Sequence, residues 1–316
     1  ELIRNADMAM YEAKKSGKNC SAVYNSGIKS DSDKRLDMEK NMREAAIDGY
    51  KEFEVYYQPI IDIQENNICT GAEALIRWNS EEMGFMSPAD FIPLAEYLGL
   101  INPIGSHVLQ QACEACKNWN DKGYPGYKVN VNLSVVQLLQ QDIVQTIADI
   151  VKKSGINPHN LTLEVTEGLA INDLERMRQI LAEIKELGVR IALDDFGTGY
   201  SSLSHIRELP FDVIKVDQSF VRDLAEDTYS KSFIKMVSDL ADAIGVSICV
   251  EGIETKKQYK VLEGMKVRMI QGYYFDKPMP RAEFEKKYVK KKKAACATDK
   301  QGGEHGTKEF GTGTCR

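Results

Sequence analysis

The chain has 316 residues, 43% hydrophobic and 28% charged, a balance that suits one large or two ordinary globular domains and excludes a disordered polar polymer. A net charge of −6 argues against DNA or RNA as partner, which needs a basic face, and no apolar run approaches the ~20 residues that span a bilayer. Seven scattered cysteines, an odd number without a signal peptide, point to reduced thiols and a cytoplasmic location rather than a disulfide framework.

Residues 1–24 open in helical periodicity, with Ala6, Met8, Met10, Tyr11 and Ala13 set among charges, Gly17 as a stop and SAVY as a strand. One helix and one strand cannot bury a core, so this stretch reads as the end of a domain lying upstream. Residues 25–50 carry a charged amphipathic helix that serves as a connector. Domain-like patterning occupies 51–290.

Eight apolar runs follow: FEVYYQPII (53–61), ICTGAEALIRW (68–78), YKVNVNLS (127–134), LTLEVTE (161–167), VRIALDD (189–195), FDVIKVD (211–217), VSICVE (246–251) and VRMIQG (267–272). From the second run on, helical segments separate them, such as 172–187 and 219–245. Strand and helix alternating this often predict a TIM-like (β/α)8 barrel. The first two runs are only six residues apart, whereas a parallel crossover needs a dozen or more, so the first strand is predicted antiparallel to the second. Cys113 and Cys116 form a CxxC within a helix, with no second pair, and read as semi-buried structural cysteines. His107, His159, His205 and His305 never fall at metal-ligand spacing. The lysines at 286–287 and 290–293 read as a solvated helix end, and 291–316 as a disordered or artefactual tail without contact to a membrane.

Barrel chemistry sits at the C-terminal ends of the strands, and the polar residues collect there. By the two-residue period, Glu73, Leu75 and Arg77 share a face of the second strand, Asn130 and Asn132 of the third, and Thr162, Glu164 and Thr166 of the fourth. Asp194 and Asp195 end the fifth strand, Val213, Lys215 and Asp217 align on the sixth, Glu251 closes the seventh and Gln271 the eighth. Unpaired charges at a barrel mouth cost several kcal/mol unless neutralised. Four carboxylates and an asparagine oxygen form an all-oxygen set that suits Mg²⁺ or Mn²⁺. The adjacent aspartates suggest two cations roughly 3.5–4 Å apart, as in two-metal phosphoryl chemistry. Arg77, about 13 Å along the strand from Glu73, suits the far phosphate of an extended ligand. Lys215 and Glu251 either orient and deprotonate a water or form a structural ion pair.

In this order, YYQPI, AEALIRW, VNLS, LEVTE, LDDFGTGYSSLSHI, IKVD, VEGIE and IQGYYFDKP resemble the EAL domain, a bacterial phosphodiesterase that opens c-di-GMP to linear pGpG. The resemblance covers about residues 40–285. It implies that Glu73, Asn132, Glu164 and Asp194 bind one metal ion and Asp195 a second. Lys215 and Glu251 would position and deprotonate the attacking water. Gln58, Arg77, Asp217 and Gln271 would contact the ligand or order its surroundings. Glu167 would anchor the DDFGTG loop and couple dimerisation to activity, so a homodimer is expected. Gly168 stands where the family commonly has serine, while Val165 and Ile253 vary conservatively. RNADMAMYEAKKSGKN resembles the last helix of the GGDEF cyclase domain, which implies an upstream GGDEF or sensor domain in the parent protein. The alternative is a catalytically silent c-di-GMP-binding signalling module.

Overall fold

The computed structural model describes residues 2–15, 21–24, 26–168, 174–198 and 208–289. Ten strands lie in one sheet among these residues: β1 (Phe53–Asp62), β2 (Ile68–Ser80), β3 (Gly84–Met86), β4 (Lys128–Asn132), β5 (Leu161–Thr166), β6 (Arg190–Phe196), β7 (Val213–Val216), β8 (Ser247–Val250), β9 (Met269–Ile270) and β10 (Met279–Pro280). Eight close a ring in the order β1-β9-β8-β7-β6-β5-β4-β2, with β2 pairing back onto β1. The pairings from β2 through β4 to β9 are parallel, and β1 runs antiparallel to both neighbours in the ring. The chain is a TIM-like (β/α)8 barrel with its first strand reversed, as the short β1–β2 connection predicts. β3 and β10 are antiparallel additions to β2 and β1, too short for a sequence period to reveal.

Three expectations need correction. Residues 21–24 are not in a strand. The helix expected over 219–245 begins only at Thr228, after a short 3₁₀ turn, because Asp227 caps it by accepting from the backbone N–H groups of Tyr229 (3.1 Å) and Ser230 (2.8 Å). Of VRMIQG, only Met269–Ile270 pair as a strand. The tail 291–316, the helix stop at Gly17 and the loop from 199 to 207 lie outside the described residues.

The two faces of each strand serve different layers. Val129, Val131, Leu163, Val165, Ile191 and Leu193 point outward and are buried with the helices Ile101–Asp121, Ile143–Ser154, Leu174–Glu186 and Thr228–Ile244. Cys113 and Cys116 belong to this layer, fully buried, and burial pushes both thiols up to about 12, so the CxxC is a packing element. The inward positions Ile60, Ala192, Val213 and Cys249, with Met269, fill the centre of the barrel. The helix Ser26–Ile47 docks its C-terminal half, because Met42 and Ala45 are buried with Phe53, Trp78 and Phe91. No helix among the described residues is long and apolar enough to cross a membrane.

Close strand approach requires a glycine at position 71, where an added Cβ would lie 2.1 Å from the carbonyl oxygen of Lys128 on the paired strand. Gly71→Ala should therefore destabilise the barrel by about 1–3 kcal/mol, the usual cost of overpacking. Thermal unfolding beside Gly126→Ala, where a Cβ meets open space, checks this: equal melting points for the two variants would contradict the packing argument.

Candidate active site

A single lysine organises the C-terminal mouth of the barrel. Lys215 sits on β7 with its side chain 1% exposed. Its ammonium lies 2.6 Å from Glu251 Oε1, 2.7 Å from Glu164 Oε2, 3.1 Å from Asp194 Oδ1 and 3.4 Å from Glu73 Oε2. These carboxylates come from β2, β5, β6 and the end of β8, and only ring closure brings them to one point.

Amide side chains hold the acids in place. Asn132 donates to Glu73 Oε1 at 2.8 Å, and Gln271 donates to Glu73 Oε2 at 2.7 Å and to Gln58 Oε1 at 2.9 Å. Gln58 in turn donates to the Asp276 carbonyl at 3.2 Å. Asn130, which the residue period placed beside Asn132 but which was not assigned a role, donates to Glu164 Oε1 at 2.7 Å.

The electrostatics follow from four buried carboxylates facing one ammonium. Burial opposes charge on Glu73, but Lys215 and the Gln271 and Asn132 amides outweigh it and hold its carboxyl below the usual range. Burial and the Glu73 charge push Glu164 well up. Burial likewise raises Glu251 to about 8, against the pull of Lys215. Burial disfavours the Lys215 ammonium, yet Glu164, Glu251, Glu73 and Asp194 together hold it firmly protonated. The excess of negative charge leaves the site with an affinity for protons or further cations.

The adjacent aspartates are resolved by a kink. The β6–β7 register shifts between Leu193 and Phe196, and Asp195 adopts φ 54°, in the left-handed region that aspartate tolerates better than most residues. Asp194 thereby turns to Lys215, while the Asp195 N–H donates to Asp194 Oδ1 at 3.0 Å. Burial and the Asp194 charge push the Asp195 carboxyl up. Just beyond, the Gly197 N–H donates to Glu167 Oε2 at 2.9 Å. Gly197 has φ 101°, and a Cβ there would meet the Phe220 ring at 2.6 Å, so this loop anchor depends on glycine.

Two clefts open on either side of β2. One of about 280 Å³ is lined by Gln58, Glu73, Arg77, Glu251, Gln271 and Tyr273. The other, about 310 Å³ and largely apolar, includes Leu75, Arg77, Pro88, Ile92, Asn132 and Glu164. Arg77 borders both, lies over the Tyr56 ring at 5.5 Å, donates to its neighbour's carbonyl at Ile76 and meets no carboxylate at ion-pair distance among the described residues. Asp217 stands apart from the lysine cluster and caps the following 3₁₀ turn by accepting from Ser219 N–H at 2.8 Å.

The donor chemistry fits a hard divalent cation: carboxylate and amide oxygens, excess negative charge and strand-end placement. Among the described residues, however, no three His, Cys, Asp or Glu side chains frame an open metal position, because the carboxylates close on Lys215 instead.

The family model described as the EAL domain matches residues 40–278. The chain belongs to the EAL domain family. The bifunctional diguanylate cyclase/cyclic di-GMP phosphodiesterase MucR of Pseudomonas aeruginosa is 34% identical over 280 residues, 89% of this chain and 40% of MucR. The signaling protein YkoW of Bacillus subtilis is 34% identical over 285 residues, 90% of this chain and 35% of YkoW. The chain thus spans less than half the length of these curated relatives. Among solved structures, the PaMucR phosphodiesterase in a c-di-GMP complex matches this EAL domain with a TM-score of 0.74 and 33% identity, over 78% of this chain and 99% of that one. An EAL domain protein from Listeria monocytogenes EGD-e matches with a TM-score of 0.68 and 30% identity, over 79% and 95% of the two chains.

Proposed function

We propose that this EAL domain hydrolyses c-di-GMP to linear pGpG at the C-terminal mouth of the barrel. The observation that carries the reading is the convergence of Glu73, Glu164, Asp194 and Glu251 on the buried Lys215 ammonium, within 3.4 Å, beside a cleft walled by Arg77. The MucR likeness, in a complex with this ligand, supports it.

Mg²⁺ or Mn²⁺, held by Glu73, Asn132, Glu164 and Asp194 with a second ion at Asp195, would neutralise phosphodiester charge and make a bound water more acidic. Glu251 borders the cleft and has a raised affinity for protons, which suits the general base that takes the proton of the attacking water. Lys215 holds that carboxylate at 2.6 Å and fixes its direction. As the water oxygen bonds to phosphorus, the bond between phosphorus and one ribose oxygen breaks; that oxygen takes a proton from solvent in exchange for the one Glu251 removed, and the ring opens. Arg77, with no carboxylate at ion-pair distance among the described residues, would take the second phosphate as a charge-assisted hydrogen-bond donor. Gln271 keeps Glu73 in place and is itself held by Gln58, and both amides border the cleft. The two clefts sharing Arg77 give room for a ligand with two bases.

Regulation follows the same layout. Glu167 ties Gly197 in the loop after β6, so a dimer contact that shifts this loop would act on Asp194 and Asp195 directly. The segment 1–24 is assigned as the end of an upstream GGDEF domain, with 25–50 as connector.

Glu251→Gln tests the assigned base. The variant should bind c-di-GMP about as well as the wild type and turn over about 10²–10⁴-fold more slowly, the usual share of a general base. Chromatographic detection of pGpG at matched ligand occupancy measures this; undiminished hydrolysis by the glutamine variant would remove Glu251 from the mechanism.

A further inference from the structure

The opposite mouth of the barrel carries a cavity lined by basic side chains. In (β/α)8 barrels the N-terminal face normally serves stability, through packed or paired groups. Here a cavity of about 310 Å³ opens at that end, among the first residues of the parallel strands. Lys128 starts β4, Arg190 starts β6 and Arg268 immediately precedes β9, and all three line it. The buried Asp62 and the exposed Glu65 neutralise Arg268, at 2.6 Å and 3.0 Å. Lys128 and Arg190 have no carboxylate at ion-pair distance among the described residues. Burial and the charges of Arg190 and Arg268 push the Lys128 ammonium down, the mark of uncompensated positive charge. Independently, Thr162 lines the same cavity, is 0% exposed, and its hydroxyl has no hydrogen-bond partner among the described residues. Such a buried polar atom costs free energy until something pairs with it.

We propose that this cavity binds a small phosphate-bearing anion. Arg190 supplies the planar fork that matches two phosphate oxygens, Lys128 a point charge and Thr162 a neutral donor, while Asp62 is already taken up by Arg268. The site is separate from the carboxylate mouth, since Ile60, Ala192, Val213, Cys249 and Met269 pack between them. One side chain belongs to both: Asn130 lines the cavity and donates to Glu164 at 2.7 Å.

The test is calorimetric titration of the full chain, at fixed ionic strength and with a chelator present, using inorganic phosphate, pyrophosphate and guanosine 5′-monophosphate in separate arms. At least one should bind, and the strongest arm separates a free anion from a nucleotide source. Arg190→Gln should weaken that binding by about tenfold or more and the near-isosteric Thr162→Val by several-fold, while Arg178→Gln, at an exposed arginine on the helix Leu174–Glu186, leaves it unchanged. Absence of binding in all three arms overturns the proposal. So does binding that survives both Arg190→Gln and Thr162→Val, or that is lost in Arg178→Gln. If Arg190→Gln does not fold, Thr162→Val decides by the same criterion.

Discussion

Lys215→Met should unfold more readily than the wild type by about 3–5 kcal/mol, the cost of breaking a buried ion pair from one side. The reason is local. Four carboxylates lie within 3.4 Å of one ammonium, and its removal leaves them facing each other in a buried pocket. Methionine keeps most of the volume, so the loss reports charge rather than packing. The deficit should shrink as the pH is lowered, because protonated carboxyls no longer repel. Mg²⁺ or Mn²⁺ should recover part of it by taking over as counter-charge, a shift in melting temperature that the wild type shows more weakly. Chemical denaturation at two pH values, with and without metal, measures all of this. A variant as stable as the wild type at neutral pH would mean that Lys215 is not the keystone of the cluster.

Glu73→Ala should have the larger effect on turnover and the smaller one on stability. Glu73 accepts from Asn132 and Gln271 and is the acid farthest from Lys215, so its loss leaves the ammonium with three closer partners. Gln271 still donates to Gln58. The expected stability cost is about 1–2 kcal/mol, that of the hydrogen bonds lost. Hydrolysis should fall by about 10²–10³-fold or more, as for removal of one preorganised electrostatic group. A stable alanine variant with near wild-type turnover would exclude Glu73 from the site.

Much of this was legible in the sequence because barrels write their function in a period of two. Glu73, Asn132, Glu164, Asp194 and Lys215 could each be placed on an inward face by counting along one strand. The reversed β1 followed from a connection too short for a crossover. What counting along one strand cannot supply is register between strands. The Asn130–Glu164 bond depends on how β4 sits against β5, where Asn130 pairs with Thr162 and Asn132 with Glu164. The role of Lys215 as common partner depends on closure of the whole ring. The late start of the Thr228 helix turned on one capping aspartate inside a continuous apolar pattern. At the opposite mouth, Lys128 and Arg190 share the inward parity of Asn132 and Asp194. They pass unnoticed in the sequence because attention goes to the ends of barrel strands rather than their beginnings.

The most direct measurement is chromatography of c-di-GMP incubated with the purified protein and Mg²⁺ or Mn²⁺, beside Glu73→Ala and a chelated sample. Linear pGpG should appear from the wild type with metal, and c-di-GMP should stay intact in both controls. Saturating c-di-GMP binding with no pGpG in the presence of either metal would contradict it, and would make this EAL domain a binding module instead of a phosphodiesterase.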